Sequence, residues 1–187
     1  MNQPVVSSKW VLTEKTRDGK RSIKARLVAR GFEEDSSNMK TDSPTCGRLA
    51  LRLVFIVAAT YKWKLQSLDI SAAFLQGREI NREVFLRPPR DVCSNDVIWK
   101  LKRCIYGLND APRAWYNRVH DEFIRLEGKL SQYDCALFLW FKKGSLVGIL
   151  ASHVDDFACC GTSQWEKDVL GTVKEKFKIS SRNMSHL

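Results

Sequence analysis

The sequence predicts a mixed α+β domain in which an antiparallel sheet is covered by helices. Strand-type alternation and helix-type apolar stripes interleave along it in the order β, β, α, β, α, β, β, α, β, β, α. Turn signals separate the strands, and no internal repeat or low-complexity linker interrupts them. At 187 residues the chain is long enough for one well-buried core with a small appended lobe.

Hydrophobic content of 44% and charged content of 28% are those of a globular protein. The excess of 31 Lys and Arg over 21 Asp and Glu gives a formal +10, which favours a polyanionic partner, nucleic acid ahead of an acidic membrane surface. Cysteines at 46, 93, 104, 135, 159 and 160 lack the paired spacing of a zinc site and read as reduced, mostly buried thiols of an intracellular protein. No apolar signal core lies near Met1 and no run approaches membrane-span length, so neither secretion nor a membrane partner is expected.

Taken in order, Met1 to Ser8 has no periodic pattern and reads as a ragged lead. Trp10 to Thr13 and Ile23 to Ala29 are β-prone, and Arg17-Asp18-Gly19-Lys20 between them carries a turn signal, so the segment reads as a hairpin. Lys15, Arg17, Lys20, Arg21, Lys24, Arg26 and Arg30 line it. A solvated edge that resists aggregation explains them as readily as an anion site does. Glu33 to Thr45 is a polar loop ending in Ser43-Pro44.

Gly47 to Tyr61, GRLALRLVFIVAATY, is apolar over most of its circumference, which predicts a largely buried helix. Trp63 to Ile70 alternates as a strand and delivers Asp69 close to its end. A carboxylate there is costly to bury unpaired, so it is expected at the surface or beside a cation. Ser71 to Gly77 reads as a short helix with Ser71 as N-cap and Gly77 as stop. Val84 to Leu86 and Val97 to Leu101 read as strands around Pro88-Pro89 that extend a sheet.

Ile105 to Pro112 leads into a helix with Asp110 as N-cap and Pro112 in its first turn. That helix carries Trp115, Val119, Phe123 and Leu126 on one stripe and stops at Gly128. Cys135 to Phe141 pairs with Leu146 to His153 across Lys142-Lys143-Gly144-Ser145, and Ser163-Gln-Trp-Glu166 is a capping box opening a helix striped by Trp165, Val169, Val173 and Phe177.

The most informative stretch is Gly144 to Gly161, GSLVGILASHVDDFACCG, in which two apolar runs flank Val154-Asp155-Asp156 and predict a hairpin with both aspartates at its bend. Neighbouring side chains of a regular strand point to opposite faces, whereas a tight turn can bring two acids to one ion. Asp is also common in turns because it hydrogen-bonds nearby backbone, so a lone Val-Asp-Asp is more often a solvated turn. If the strand of Asp69 neighbours this hairpin, three carboxylates converge, and their repulsion is relieved by divalent cations. Oxygen-only ligation selects Mg²⁺ or Mn²⁺ over zinc. Two such ions about 4 Å apart activate an attacking hydroxyl and stabilise a leaving phosphate oxygen.

Four segments in sequence order, KARLVARGF (24 to 32), LDISAAFLQG (68 to 77), LKRCIYGLNDAPRAWY (101 to 116) and HVDD (153 to 156), together resemble the reverse transcriptase domain of Ty1/copia-type LTR retrotransposons. The resemblance runs from about Lys9 to Phe177 and implies a right-hand polymerase palm, an antiparallel sheet packed on helices, with a partial fingers subdomain and the thumb lacking. Residues 9–45 would be fingers-like and 46–187 mainly palm. The implied activity is RNA-directed DNA polymerase using two Mg²⁺ ions, or Mn²⁺, with an RNA template, a DNA or RNA primer and dNTP. An active element would place it in a cytoplasmic virus-like particle.

By the same resemblance Asp69, Asp155 and Asp156 take the places of the catalytic, metal-holding aspartates, and Ile70 offers a backbone carbonyl to the metal. Lys24, Arg26 and Arg30 stand where the incoming triphosphate is held, Phe74 where an aromatic gate excludes the ribose 2′-OH, and Tyr106 and Gly107 in the loop beside the nucleotide. Pro112, Arg113 and His153 would meet nucleic acid, while Trp115 and Tyr116 read as core. His153 replaces the usual Tyr, and Asn109-Asp110 the usual Lys-Gln. Asp110 would repel a triphosphate unless its N-cap role turns it away. The chain stops near Leu187, before the thumb and RNase H regions of such proteins. The alternatives are a catalytically silent, truncated relic that binds nucleic acid through its basic surface, and an unrelated basic α+β domain with a solvated turn. Oligomeric state stays open.

Overall fold

The hairpin read from residues 10–29 is present and longer at both ends. β1 (Val5–Arg17) and β2 (Lys20–Ala29) pair antiparallel from Ser8↔Ala29 to Arg17↔Lys20. The computed structural model describes residues 5–17, 19–93 and 96–182, and the backbone alone at 17 and 180–182. Met1–Pro4 of the expected ragged lead and Asp18 of the expected turn therefore lie outside the described residues. Val5–Ser8 is not ragged: Val5, Val6 and Ser7 pair in parallel with β4 (Phe85–Arg87), which pairs with β5 (Trp99–Lys100). Two β-branched residues start the strand, and Val6 is buried among Val84, Leu86, Ile105 and Leu108. This sheet has the order β2-β1-β4-β5.

The second sheet carries the aspartates. Its order is β10-β3-β9-β8-β7-β6, every pairing antiparallel, built from β3 (Gln66–Ile70), β6 (Lys129–Leu130), β7 (Leu137–Lys142), β8 (Ser145–His153), β9 (Asp156–Gly161) and β10 (Ile179–Arg182). The β7–β8 turn puts Lys143 at φ 50 and Gly144 at φ 80, the left-handed pair whose twist suits a two-residue hairpin. β10, which the sequence pattern does not announce, covers the free edge of β3, so the strand of Asp69 lies inside the sheet.

Helices cover both faces of this sheet. On one face Leu68, Ile70, Leu150, Phe157 and Cys159 pack with Trp115, Val119 and Phe123 of α2 (Ala111–Arg125) and with Trp165, Val169 and Val173. The latter three lie on a helical run made of α3 (Ser163–Trp165), a wider π turn (Glu166–Leu170) and α4 (Gly171–Lys176). Glu122 of α2, 2% exposed, is surrounded by Arg118, Arg125 and Lys176, which ties α2 to α4. On the other face α1 (Arg48–Tyr61) packs Ala50, Val54 and Ala58 on Leu137, Ile149, Ala151 and Cys160. Adjacent Cys159 and Cys160 thus serve opposite faces. No helix among the described residues is long and apolar enough to cross a membrane.

Several local expectations are corrected. α1 is not largely buried: Leu49 is 78% and Ile56 61% exposed, because the helix meets the sheet through a narrow stripe of small residues. Ser71 caps nothing; a 3₁₀ turn (Ala73–Gln76) follows Ala72, which takes φ 52. Thr162, not Ser163, caps the last helical run, its hydroxyl accepting from the Trp165 N–H at 3.2 Å. α2 ends before Gly128, with Glu127 left-handed at φ 64, and Gly128 is there because the Trp140 ring lies against it.

Candidate active site

β3 and β9 pair with Asp69 opposite Asp156, and β8 and β9 pair with His153 opposite Asp156. Directly opposed residues of an antiparallel pair share a face, their Cβ atoms about 4.5–5.5 Å apart. Two carboxylates so placed repel, and a divalent cation turns that repulsion into attraction. Asp155 precedes β9, and its carbonyl accepts from the Ile70 N–H at 2.8 Å, which ties the aspartate turn to the end of the Asp69 strand.

The turn itself is Val154-Asp155, with Val154 at φ 55, and Asp156, expected at the bend, is instead the first residue of β9, because the ladder closes on a two-residue turn. A β-branched residue in the left-handed region is strained by roughly 1–3 kcal/mol and needs support from its surroundings. Support is present: the Trp115 indole N–H donates to the Val154 carbonyl at 2.7 Å. Trp115 is core, 1% exposed, as its stripe position predicts. Its hydrogen bond to the aspartate turn escaped sequence reasoning, because no pattern links residues 39 apart.

The β1–β2 hairpin presents cations to these acids. Lys24 and Arg26 stand opposite Thr13 and Val11, two residues apart and so on one face of the strand. Desolvation and the cations Arg26 and Lys15 lower the Lys24 pKa, against the pull of Asp69 and Asp155, so both aspartates act on this lysine. Tyr106 is the other link: Arg26 lies over its ring at 5.9 Å, and Phe74 meets it edge-on at 5.0 Å. Burial raises the Tyr106 phenol pKa; Asp155 and Asp69 add to the rise, and Arg26 opposes it. Lys24, Arg26, Phe74, Tyr106 and the aspartates therefore form one neighbourhood, with Phe74 half-buried rather than sealed in the core.

Gly107 joins hairpin and loop. The Ala29 N–H donates to the Tyr106 carbonyl at 2.7 Å and the Gly31 N–H to the Gly107 carbonyl at 3.1 Å. A Cβ on Gly107 would stand 2.0 Å from the Ala29 oxygen, so the approach requires glycine.

Asp110 immediately precedes α2, yet its carboxylate makes no cap bond. It accepts two bonds from Arg82, each 2.9 Å, while Arg82 also reaches Glu34 at 2.8 Å and the Cys104 thiol donates to Asp110 at 3.5 Å. The anion feared in this block is thus neutralised by a partner 28 residues away.

The remaining candidates are scattered. Arg30 follows β2 and is exposed, Pro112 sits in the first turn of α2, and His153 is exposed at the end of β8. Arg113 pairs with Asp42 and lies over the Tyr116 ring at 5.5 Å. A cleft of about 610 Å³ lined by Lys40, Arg78, Arg82, Asp110 and Arg113 includes none of the three aspartates.

Among the described residues no group of three or more His, Cys, Asp or Glu is set to hold a metal ion by itself. Asp69 and Asp156, opposed across the ladder, are a carboxylate pair of the kind that water and substrate phosphate complete around Mg²⁺.

Residues 1–186 match the family model described as reverse transcriptase (RNA-dependent DNA polymerase). The chain is 30% identical over 97% of its length to the retrovirus-related Pol polyprotein from transposon RE2 of Arabidopsis thaliana. It is 31% identical over 82% to that from transposon TNT 1-94 of Nicotiana tabacum, and 32% identical over 96% to the transposon Ty1-LR2 Gag-Pol polyprotein of Saccharomyces cerevisiae. The chain belongs to the reverse transcriptase family, of the Ty1/copia type. It spans 13%, 12% and 10% of those three relatives. No solved structure matches it significantly.

Proposed function

We propose that this chain is the nucleotidyl-transfer part of an RNA-directed DNA polymerase, adding deoxynucleotides to a primer 3′-OH on an RNA template. The observation that carries the reading is the β3–β9 register, which opposes Asp69 to Asp156 and bonds Asp155 to the same strand end. Residues 9–45 act as fingers and 46–187 mainly as palm. Asp69, Asp155 and Asp156 hold the ions, with the Ile70 carbonyl assisting. Bound divalent cations supply activation of the primer hydroxyl and stabilisation of the leaving pyrophosphate. Lys24 and Arg26, with Arg30 at the strand end, neutralise the triphosphate. Phe74, braced by Tyr106, closes the space a ribose 2′-OH would need, and Gly107 keeps that brace against the hairpin. Pro112, Arg113 and His153 border the nucleic acid.

The test is extension of oligo(dT) on poly(rA) with dTTP and Mg²⁺ or Mn²⁺, beside an Asp155→Asn control. Metal-dependent extension by the unaltered protein alone is expected. Equal extension by both proteins would overturn the reading of the aspartates as the polymerase centre, and salt-sensitive nucleic-acid binding without extension by either would replace it with that of a silent binder.

A further inference from the structure

We propose that Trp115 is a positioning residue for the aspartate turn: its indole N–H holds the Val154 carbonyl and so keeps residue 154 left-handed, which sets Asp155 and Asp156 beside Asp69. The proposal rests on the reading of those aspartates as metal-holding. Residue 154 is the pivot, since it lies between His153, the last residue of β8, and Asp155. A valine released from φ 55 relaxes toward extended backbone, which would re-aim the residues after it. The Ile70 N–H to Asp155 carbonyl bond fixes the far side of the turn, and the Trp115 bond fixes the near side.

Two other left-handed non-glycines bear on this role. Lys143 of the β7–β8 turn, at φ 50, is unbranched and is followed by left-handed Gly144, so the strain there is smaller than at β-branched Val154. At Glu127, which follows α2, a second buried indole holds the backbone one residue earlier: Trp140 donates to the Leu126 carbonyl at 2.8 Å. Trp115 is also well placed to be rigid, its ring 1% exposed and edge-on to Phe177 at 5.3 Å.

The experiment compares the unaltered protein with Trp115→Phe, Val154→Gly and the double variant. It reads Mn²⁺ binding by electron paramagnetic resonance, kcat and KM for dTTP in primer extension, and the thermal midpoint. Trp115→Phe is expected to weaken Mn²⁺ binding and to lower kcat by about tenfold or more, since small misplacements of reacting groups are costly. KM for dTTP should change little. In the Val154→Gly background, where φ 55 is free of strain, Trp115→Phe should cost much less. A packing role would lower the thermal midpoint and kcat alike in both backgrounds, and that result, or unchanged Mn²⁺ binding and kcat in Trp115→Phe, would overturn the proposal. Naphthylalanine at 115, which keeps a bicyclic ring without the N–H, carries the same test if Trp115→Phe does not fold. If the unaltered protein extends no primer, the polymerase reading fails, while the Mn²⁺ comparison still decides the clamp.

Discussion

Asp69 faces Asp156 across the β3–β9 ladder, and the next residue along β3, Ile70, holds the Asp155 carbonyl at 2.8 Å. The pair sits inside the sheet, between β10 and β8, so neither strand can slip without disturbing two ladders.

Asp69→Asn is expected to lower primer extension by about 10²–10³-fold, a loss out of proportion to any change in the thermal midpoint. Scanning fluorimetry beside the extension assay checks it. A fall in the midpoint matching the loss of activity would make Asp69 a structural residue.

Arg82 holds two carboxylates, Asp110 and the 4% exposed side chain of Glu34. Arg82→Gln leaves both under-compensated and should cost about 3 kcal/mol in urea unfolding. Burial raises the Asp110 pKa, but the Arg82 hydrogen bonds and charge outweigh it and leave the net value below the usual carboxylate range. A lowered folded pKa stabilises above the unfolded value of about 4 and is lost as pH falls through the folded one. The urea midpoint of the unaltered protein should thus fall below about pH 4, and Arg82→Gln should flatten that fall.

Gly107→Ala should destabilise strongly, by at least about 2 kcal/mol, since φ 91 is strained for alanine and the new Cβ would collide with the Ala29 oxygen and the Val28 side chain. Gly19, at φ 73 with open space around it, is the control: Gly19→Ala should cost only about 1 kcal/mol. Urea titration separates the two, and equal losses would dissociate the Gly107 contact from stability.

Thiol chemistry should follow burial. Desolvation, with help from Asp110, pushes the Cys104 thiol up to about 12, and burial raises Cys160 to about 11 and Cys159 further. Iodoacetamide at neutral pH should label exposed Cys135 first and reach Cys104, Cys159 and Cys160 only in denaturant, as read by peptide mass spectrometry. Early labelling of Cys104 would contradict its burial beside Asp110.

Much of the architecture was legible. The alternation of Trp10 to Thr13 and Ile23 to Ala29 announces β1–β2, the Val154-Asp155-Asp156 stretch announces the β8–β9 bend, and the Trp115, Val119, Phe123 stripe marks the buried face of α2. The errors have physical causes. Apolar content made α1 read as buried, although only its small residues fit against the sheet. Asp110 read as a cap, since a cap is what an Asp before a helix can do locally; Arg82 offered it a stronger bond from a distance.

Local chemistry determined by itself most strands, turns and helices, though neither β10 nor the start of β1, and that acids lie at a strand end and a hairpin bend, because periodicity and turn preference act over a few residues. Only the tertiary structure decided that Asp69 opposes Asp156, that Lys24 and Tyr106 share their field, and that Trp115 holds Val154. Those relations depend on strand order and register, which are set by burying both faces of the sheet at once, a condition that no single stretch of sequence expresses.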